Sequence, residues 1–386
     1  MFAFTSLGGN VDHHVNSGRG PYVYRISGQN HHKIGSVLPM DGETPRFAQL
    51  YIYDTGNEVP NKIRALTGVN SASKLDEQVV EGLLRMLDEH NELAKVFRMA
   101  RDRFHKSDYI PIRIRLIGNR SRNPSIYNLP SATEVAALIV GDLNDTDFVH
   151  DVVIEHKSNG LQRISELHPS FMAMQYPLLF PYGEDGFQLG IKYKNNEGRR
   201  HTKKICVTMR EYYAYRLQQR MNESLSVQSS RRLFQQFLVD AYTCIEEERL
   251  RWVRLNQTQL RSELYKGLKD VVLRGDTTPS SVGKRIVLPS SFTGGPRYMA
   301  QNFQDAIAIC RWAGNPDLFI TFTSNPKWAE IQSFLDLTPG QKPEERPDVV
   351  SRVFKIKLDQ LMRDLVQGQH FGKVMAGIIF LKLISI

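Results

Sequence analysis

The chain has 386 residues, 41% of them hydrophobic and 24% charged, with a formal net charge of +9. That balance excludes an intrinsically disordered chain, and no apolar run reaches the roughly 18 residues that a membrane span requires. Three cysteines lie far apart without a Cys-x-x-Cys pair. Cys244 and Cys310 fall in apolar helical patterns, which indicates buried thiols rather than metal ligands.

The N-terminal part of the chain reads as a small β-rich module over residues 1–70. Gly, Pro and Asn turn signals alternate there with short apolar runs. Residues 22–26 and 50–53 are the strand candidates in this module.

Residues 71–190 read as a mixed α/β segment. Apolar residues at helical spacing predict one helix over residues 76–103, and β-rich runs predict strands at 110–117 and 135–140. The Asp-rich stretch at 142–147 lacks the turn glycine and the closing glutamate of a calcium loop, so a surface turn is favoured there.

Residues 191–280 read as a basic helical segment. Eleven lysines and arginines stand against three glutamates in its first part: Lys192, Lys194, Arg199, Arg200, Lys203, Lys204, Arg210, Arg216, Arg220, Arg231 and Arg232 against Glu197, Glu211 and Glu223. Phosphate binding needs several cations acting together, so this surplus suits a nucleic acid; a solvated helix face is the alternative. Tyr212, Tyr213 and Tyr215 lie in the same region and either stack on bases or pack inward.

Residues 281–386 show an alternation of helix and strand. The pattern predicts a helix from 296 to about 311, a strand at 318–322, a helix over 349–366 and a strand at 374–380. Periodicity alone supports an α+β domain, and this order suits the opening of a split βαβ unit.

Several segments, in one order, resemble the helicase-like N-terminal region of Helitron transposases, the rolling-circle transposons of eukaryotes. They include Phe-Thr-Ser-Leu-Gly-Gly at 4–9, His-Pro-Ser-Phe-Met-Ala-Met-Gln-Tyr-Pro-Leu-Leu-Phe-Pro at 168–181, Leu-Pro-Ser-Ser-Phe-Thr-Gly-Gly-Pro-Arg-Tyr at 288–298 and Phe-Ile-Thr-Phe-Thr-Ser-Asn-Pro-Lys-Trp at 319–328. The resemblance implies an α+β protein with a β-rich N-terminal module, a helical middle and an incomplete Rep-like endonuclease domain over residues 281–386.

The family's nuclease needs residues that this sequence lacks. In the mechanism that the resemblance implies, a His-hydrophobic-His pair holds Mg²⁺ or Mn²⁺, and a tyrosine attacks the DNA phosphodiester. None of the eleven histidines has another two positions away. Among the fifteen tyrosines, Tyr212 and Tyr215 alone are spaced at i+3, and they lie in the basic helical segment rather than after a histidine pair. We therefore expect a truncated, non-cleaving fragment with no catalytic residue, no metal site and no cofactor of its own.

The sequence also lacks an ATP-binding loop, and its adjacent histidine pairs are not spaced for a metal site. The sequence has no Gly-x-x-x-x-Gly-Lys-Ser/Thr loop for ATP, so "helicase-like" is a family label here. The adjacent pairs His13-His14 and His31-His32 would diverge on a strand, which favours loop or surface roles over metal ligation.

The expected partner is DNA, in single-stranded form, with no membrane. The candidate contact residues are Arg199, Arg200, Lys203, Lys204, Arg210, Arg231, Arg232, Arg297, Thr321, Thr323, Asn325, Lys327 and Trp328. The family implies a nuclear protein, and the apolar C-terminal tail favours association. Two other functions stay open: a non-catalytic single-stranded nucleic-acid-binding module, and a structural or interaction remnant with no nucleic-acid role.

Overall fold

The structure is a computed structural model, and it describes residues 1–28, 30–67, 75–106, 112–118, 131–140, 152–154, 160–193, 205–260 and 286–379. Helices and small antiparallel sheets alternate along the chain, which confirms the α+β class. The described helices are α1 (Glu58–Thr67), α2 (Glu77–His90), α3 (Glu92–Lys106), α4 (Ala132–Val135), α5 (Phe171–Gln175), α6 (Met209–Arg216), α7 (Arg232–Leu255), α8 (Gln257–Leu260), α9 (Pro296–Ala313), α10 (Ala329–Leu335) and α11 (Pro347–Val366).

Eight short strands form three antiparallel sheets within the described residues. The strands are β1 (Ser6–Leu7), β2 (Asn10–Val11), β3 (Ile26–Ser27), β4 (His32–Ile34), β5 (Ile112–Leu116), β6 (Ala136–Val140), β7 (Val152–Ile154) and β8 (Gln162–Ile164). Their orders are β1-β4-β8, β2-β3 and β6-β5-β7. The predicted strand at 50–53 is wrong, because a 3₁₀ helix spans Phe47–Tyr51.

The single helix predicted over residues 76–103 is two helices that meet at Asn91. The backbone of Asn91 is extended, and its side-chain oxygen accepts a hydrogen bond from Ala94 N at 3.0 Å, which caps α3. Its amide group donates to Phe180 O at 3.2 Å. A buried asparagine thus ends one helix, begins the next and ties both to a distant segment.

The fold consists of two compact units. The first comprises residues 1–20 and 24–241, and the second residues 21–23 and 242–386. The boundary falls within α7.

The N-terminal segment is a core element of the first unit. Phe4 is fully buried and lies against the rings of Tyr51, at 4.7 Å between centroids, and Phe97, at 5.0 Å. Its amide donates to Met174 O at 2.8 Å. Because β1 follows directly, this segment joins the first sheet to α3 and α5.

A buried polar cluster joins β4, α5 and α7 in the same unit. His32 Nε2 lies 2.6 Å from Asp240 Oδ2, and His32 Nδ1 lies 3.2 Å from the carbonyl oxygen of Phe171. Tyr176 and Asn30 donate to the Asp240 carboxyl group at 2.9 Å each. The prediction of a loop or surface role is therefore wrong for His32, whose ring stacks on Phe171 with 3.7 Å between centroids.

A second buried cluster centres on Arg98. Its guanidinium donates to Asp88, to Glu58 and to Tyr51 O at 2.8–2.9 Å. Lys62 lies beside it, fully buried, with Nζ 3.4 Å from the centroid of the Tyr51 ring and 3.6 Å from Glu58 Oε1. Loss of solvation lowers the pKa of Lys62 to about 7, although the Glu58 carboxylate opposes that shift.

The second unit holds α8 to α11 and most of α7. Arg346 and Asp348 form a buried bidentate ion pair with both contacts at 3.0 Å, where the chain enters α11. Cys244 is buried as predicted, whereas Cys310 is partly exposed. In α9, which the structure describes in full, no side chain is buried.

The two strands predicted in this unit are not strands in the structure. Residues 318–322 and 374–379 have no ladder partner among the described residues, and residue 380 lies outside them. Phe319 is 93% exposed. An alternating apolar pattern favours an extended backbone. A strand also needs a neighbouring strand that pairs with its N–H and C=O groups.

No helix in the described ranges is both long and apolar enough to span a bilayer.

We predict that Lys62→Met stabilises the protein near pH 7. The lysine is protonated in the unfolded chain up to its ordinary pKa of 10.5 but loses its proton above about pH 7 in the fold. Wild-type stability therefore falls as the pH drops from about 10 to 7, by an amount of the order of a few kcal/mol, and the variant should not show this loss.

The measurement is urea unfolding at several pH values, with Lys95→Met as the control, because Lys95 makes only a partly exposed ion pair with Glu92. A Lys62→Met protein that is less stable than wild type at pH 7 would contradict the prediction.

We also predict that Asp240→Ala lowers the free energy of unfolding by about 3–5 kcal/mol. The substitution leaves the buried polar groups of His32, Tyr176 and Asn30 without their hydrogen-bond partner. The double variant His32→Phe with Asp240→Leu should be more stable than Asp240→Ala alone in chemical denaturation. Asp359→Ala, which removes an exposed partner of Lys355, is the control. Equal loss from Asp240→Ala and from the control would refute the role of the cluster.

Candidate nucleic-acid interface

Four of the predicted cations, Arg199, Arg200, Lys203 and Lys204, lie outside the described residues. The chain on either side of them is paired: Tyr193 N donates to Ile205 O at 3.3 Å, and Val207 N donates to Ile191 O at 2.8 Å. The ladder leads directly into α6. Both ends of the basic stretch at 194–204 are therefore anchored next to the start of that helix.

The start of α6 is fixed by a capping box. Thr208 and Glu211 exchange hydrogen bonds, with Thr208 N to Glu211 Oε2 at 3.0 Å. Tyr193 also donates to Glu211 Oε2, at 2.8 Å, so the ladder and the helix share one carboxylate. The Thr-x-x-Glu spacing is visible in the sequence and marks this helix start.

Two of the three tyrosines of α6 pack against other parts of the protein. Tyr213 is buried against Phe237 of α7, with 6.4 Å between ring centroids, and Tyr212 packs on Phe187 at 5.9 Å. Tyr215, by contrast, is 54% exposed. Tyr215 is therefore the most accessible of the three to a ligand.

Arg216 turns back to the protein surface at the end of α6. One guanidinium nitrogen lies 3.7 Å from Glu184 Oε1, and the group sits 5.3 Å from the centroid of the Phe180 ring. Burial raises the pKa of Glu184, and the nearby arginine opposes that shift. Much of the Arg216 charge is thus offset within the fold.

The loop after α6 returns to that helix before α7 begins. Buried Gln228 donates to the carbonyl oxygens of Arg216 at 3.4 Å and Gln218 at 3.3 Å. Together with the contact between Tyr213 and Phe237, this brings the start of α7 beside α6. Arg231 and Arg232 are exposed there, and Arg210 is exposed on α6. We call these three arginines the α6–α7 basic surface.

The second group of predicted residues lies in the other unit and is one continuous segment. Thr321, Thr323, Asn325 and Lys327 are all exposed. The Asn325 side chain accepts a hydrogen bond from Lys327 N at 2.9 Å, which shapes the turn before α10. Arg297, in the first turn of α9, is partly buried.

An aromatic stack holds that segment against α11. The ring of Phe322 lies 5.8 Å from Trp328 and 5.3 Å from Phe354, and the planes are within about 25° of parallel. Lys357 lies over Trp328 at 5.5 Å and pairs with Glu330 at 2.6 Å. Trp328 is thus partly used within the fold.

No group of three or more histidine, cysteine or acidic side chains in the described residues is arranged to hold a metal ion. The features of the described residues that bear on function are the α+β fold and the exposed arginines of the α6–α7 basic surface.

Comparison with known proteins gives a family match for part of the chain. Residues 212–381 match the family model described as the Helitron helicase-like domain at N-terminus. The match begins within α6 and covers a little under half of the sequence. The resembling segments at 4–9 and 168–181 lie outside the matched range. No curated protein and no solved structure matches the chain.

Arg231 has a strained backbone, and two substitutions there separate the effect of the strain on stability from the effect of losing the charge. Its φ of 54° lies in the left-handed region, which costs a non-glycine residue of the order of 1 kcal/mol. Arg231→Gly and Arg231→Ala remove the same charge, but we expect the glycine variant to be the more stable in urea unfolding. An alanine variant of equal or greater stability would show that the strain carries no cost.

Proposed function

We propose that this chain binds single-stranded DNA through the α6–α7 basic surface and does not cut it. The observation that carries the proposal is that Arg210, Arg231 and Arg232 are exposed on α6 and at the start of α7, two helices that pack together, and that the residues flanking the basic stretch at 194–204 pair next to the start of α6. Several cations in one place release several counterions on meeting a phosphate backbone, which is the physical basis of such binding.

The buried side of α6 supports the same proposal. Aromatic packing against α7 and the capping box fix the helix, so exposed Arg210 is held on a rigid support rather than on a loose loop. A preordered surface loses less conformational entropy when it binds. Arg199, Arg200, Lys203 and Lys204 would extend the same contact region.

We propose the segment containing Thr321, Thr323, Asn325 and Lys327 as a second contact, with Arg297 and the remaining face of Trp328 contributing. Exposed hydroxyl, amide and ammonium groups are the usual partners of phosphate oxygens. Residues 281–386 would then be the incomplete Rep-like part of the protein, and Mg²⁺ or Mn²⁺ would belong to the family's complete nuclease.

The absence of cleavage is proposed on chemical grounds. A tyrosine with a pKa of about 10 is a weak nucleophile near neutral pH unless a metal ion polarises the phosphate. The sequence lacks the spaced histidine pair that would hold such an ion. The match to a transposon family model makes the nucleus the expected location.

Fluorescence anisotropy with a labelled single-stranded oligonucleotide tests the proposal over a range of salt concentrations. We expect log K to fall linearly with log[salt], with about 0.7 of slope for each phosphate contact. Replacing Arg210, Arg231 and Arg232 with glutamine should lower the affinity and make the slope shallower by about 2.

The matched control replaces Arg64, Arg85 and Arg103, exposed arginines of α1, α2 and α3, with glutamine, which removes the same net charge. If the control variant loses as much slope, the binding is non-specific electrostatics and the assigned surface is wrong. Absence of binding by the wild-type chain at about 50 mM salt would reject the function itself. Nicked DNA formed with Mn²⁺ would reject the non-cleaving part.

A further inference from the structure

The exposed end of α6 carries an aromatic ring with a cation already stacked on it. Residue Tyr215 is 54% exposed, and the Arg220 guanidinium carbon lies 3.6 Å from the centroid of its ring. That is close contact for a planar guanidinium on a ring face. The nucleic-acid contact residues proposed above do not include either side chain.

Arg220 is locked in this position from three directions. Its Nε and Nη2 atoms donate to the two carboxylate oxygens of Glu223, with the first contact at 2.7 Å, and Nη1 donates to the carbonyl oxygen of Tyr215. The Tyr215 carbonyl oxygen also accepts a hydrogen bond from Gln218 N at 3.2 Å, so this end of α6 is fixed by both contacts. The arginine therefore backs the ring as part of the folded structure.

The bidentate pairing changes what this pair of side chains offers to a ligand. Because the Glu223 carboxylate offsets the charge of Arg220, the pair adds little to the attraction of phosphate. What remains exposed is a flat aromatic surface, stiffened from behind. Such a surface suits the π face of a nucleobase, and stacking on it tolerates any base.

The neighbouring tyrosines do not share this property. Tyr212 and Tyr213 are used in packing against Phe187 and Phe237. Gln228 holds the loop that contains Arg220 against the last turn of α6, close to the start of α7. The exposed ring thus lies in the last turn of α6, the part of that helix which the chain leading to Arg231 and Arg232 contacts through Gln228.

We propose that Tyr215, backed by Arg220, is a stacking platform for one unpaired base of the bound strand. The proposal rests on the binding function proposed above and adds the reason for preferring single strands. In a duplex both faces of each internal base are covered by its neighbours, whereas an unpaired base is free to stack on a protein ring.

The test compares Tyr215→Ala, Tyr215→Leu and Tyr215→Phe with wild type in the same anisotropy titrations, on a single strand and on a blunt duplex. Removing the ring should weaken single-strand binding by about tenfold. Tyr215→Phe should keep the affinity, and the salt slope should not change in any variant, because no phosphate contact is lost. Duplex binding should be unaffected.

Tyr242→Ala removes another exposed tyrosine, on α7, and serves as the control. Tyr215→Leu keeps apolar volume in case alanine loosens the loop. If Tyr215→Ala and Tyr215→Leu bind like wild type while the triple arginine variant loses affinity, the platform is wrong and the basic surface stands. If the Tyr215 variants lower the salt slope, the ring acts through phosphate contacts and the stacking claim fails. If wild type binds no oligonucleotide, the proposed function fails first.

Discussion

The structure of the first unit depends on a polar contact deep in its core, between His32 of β4 and Asp240 of α7, at 2.6 Å. A carbonyl oxygen can only accept, so His32 Nδ1 must donate to Phe171 O, and Asp240 also receives hydrogen bonds from Tyr176 and Asn30. Buried polar groups are costly when unpaired, so few arrangements of these elements satisfy every partner. The cluster therefore fixes the register of α7 against the rest of the unit.

The buried cluster also positions the proposed binding surface, because Asp240 and Arg232 lie on the same helix, α7. Asp240 lies eight positions after Arg232, the first residue of the same helix, and Phe237 between them packs on Tyr213 of α6. The core thus positions the exposed arginines and the short loop that carries Arg220. Arginine side chains are long and flexible, so they can select one ligand over another only when the backbone that carries them is rigid.

Local patterns predicted much of the fold. The helices at residues 296–313 and 347–366 were predicted to within a few residues, because their apolar spacing and their proline starts are local signals. The break at Asn91 was missed although asparagine is a common cap. The strand at 318–322 was predicted from alternation, yet its backbone has no partner among the described residues, and pairing is a tertiary property that alternation does not contain. His32 was misplaced for the same reason, since its partner lies 208 positions away.

The candidate site shows the same division. Composition located the surplus of cations between residues 192 and 232, but sequence could not decide which of the three tyrosines faces solvent, because that depends on Phe187 and Phe237. It also gave no sign that Glu184 and Glu223 offset two of the arginines. Charge counts therefore overstated the number of cations available to DNA, and geometry reduced the set to those that stay exposed.

The central claim is that a single strand lies across α6 and the start of α7. Photo-crosslinking of the whole chain to an oligonucleotide with 5-iododeoxyuridine, followed by peptide mapping, tests it most directly. The account predicts that the principal crosslinked peptides come from residues 205–232, with an adduct on Tyr215. Crosslinks confined to residues 296–379, or spread evenly over the surface, would contradict it.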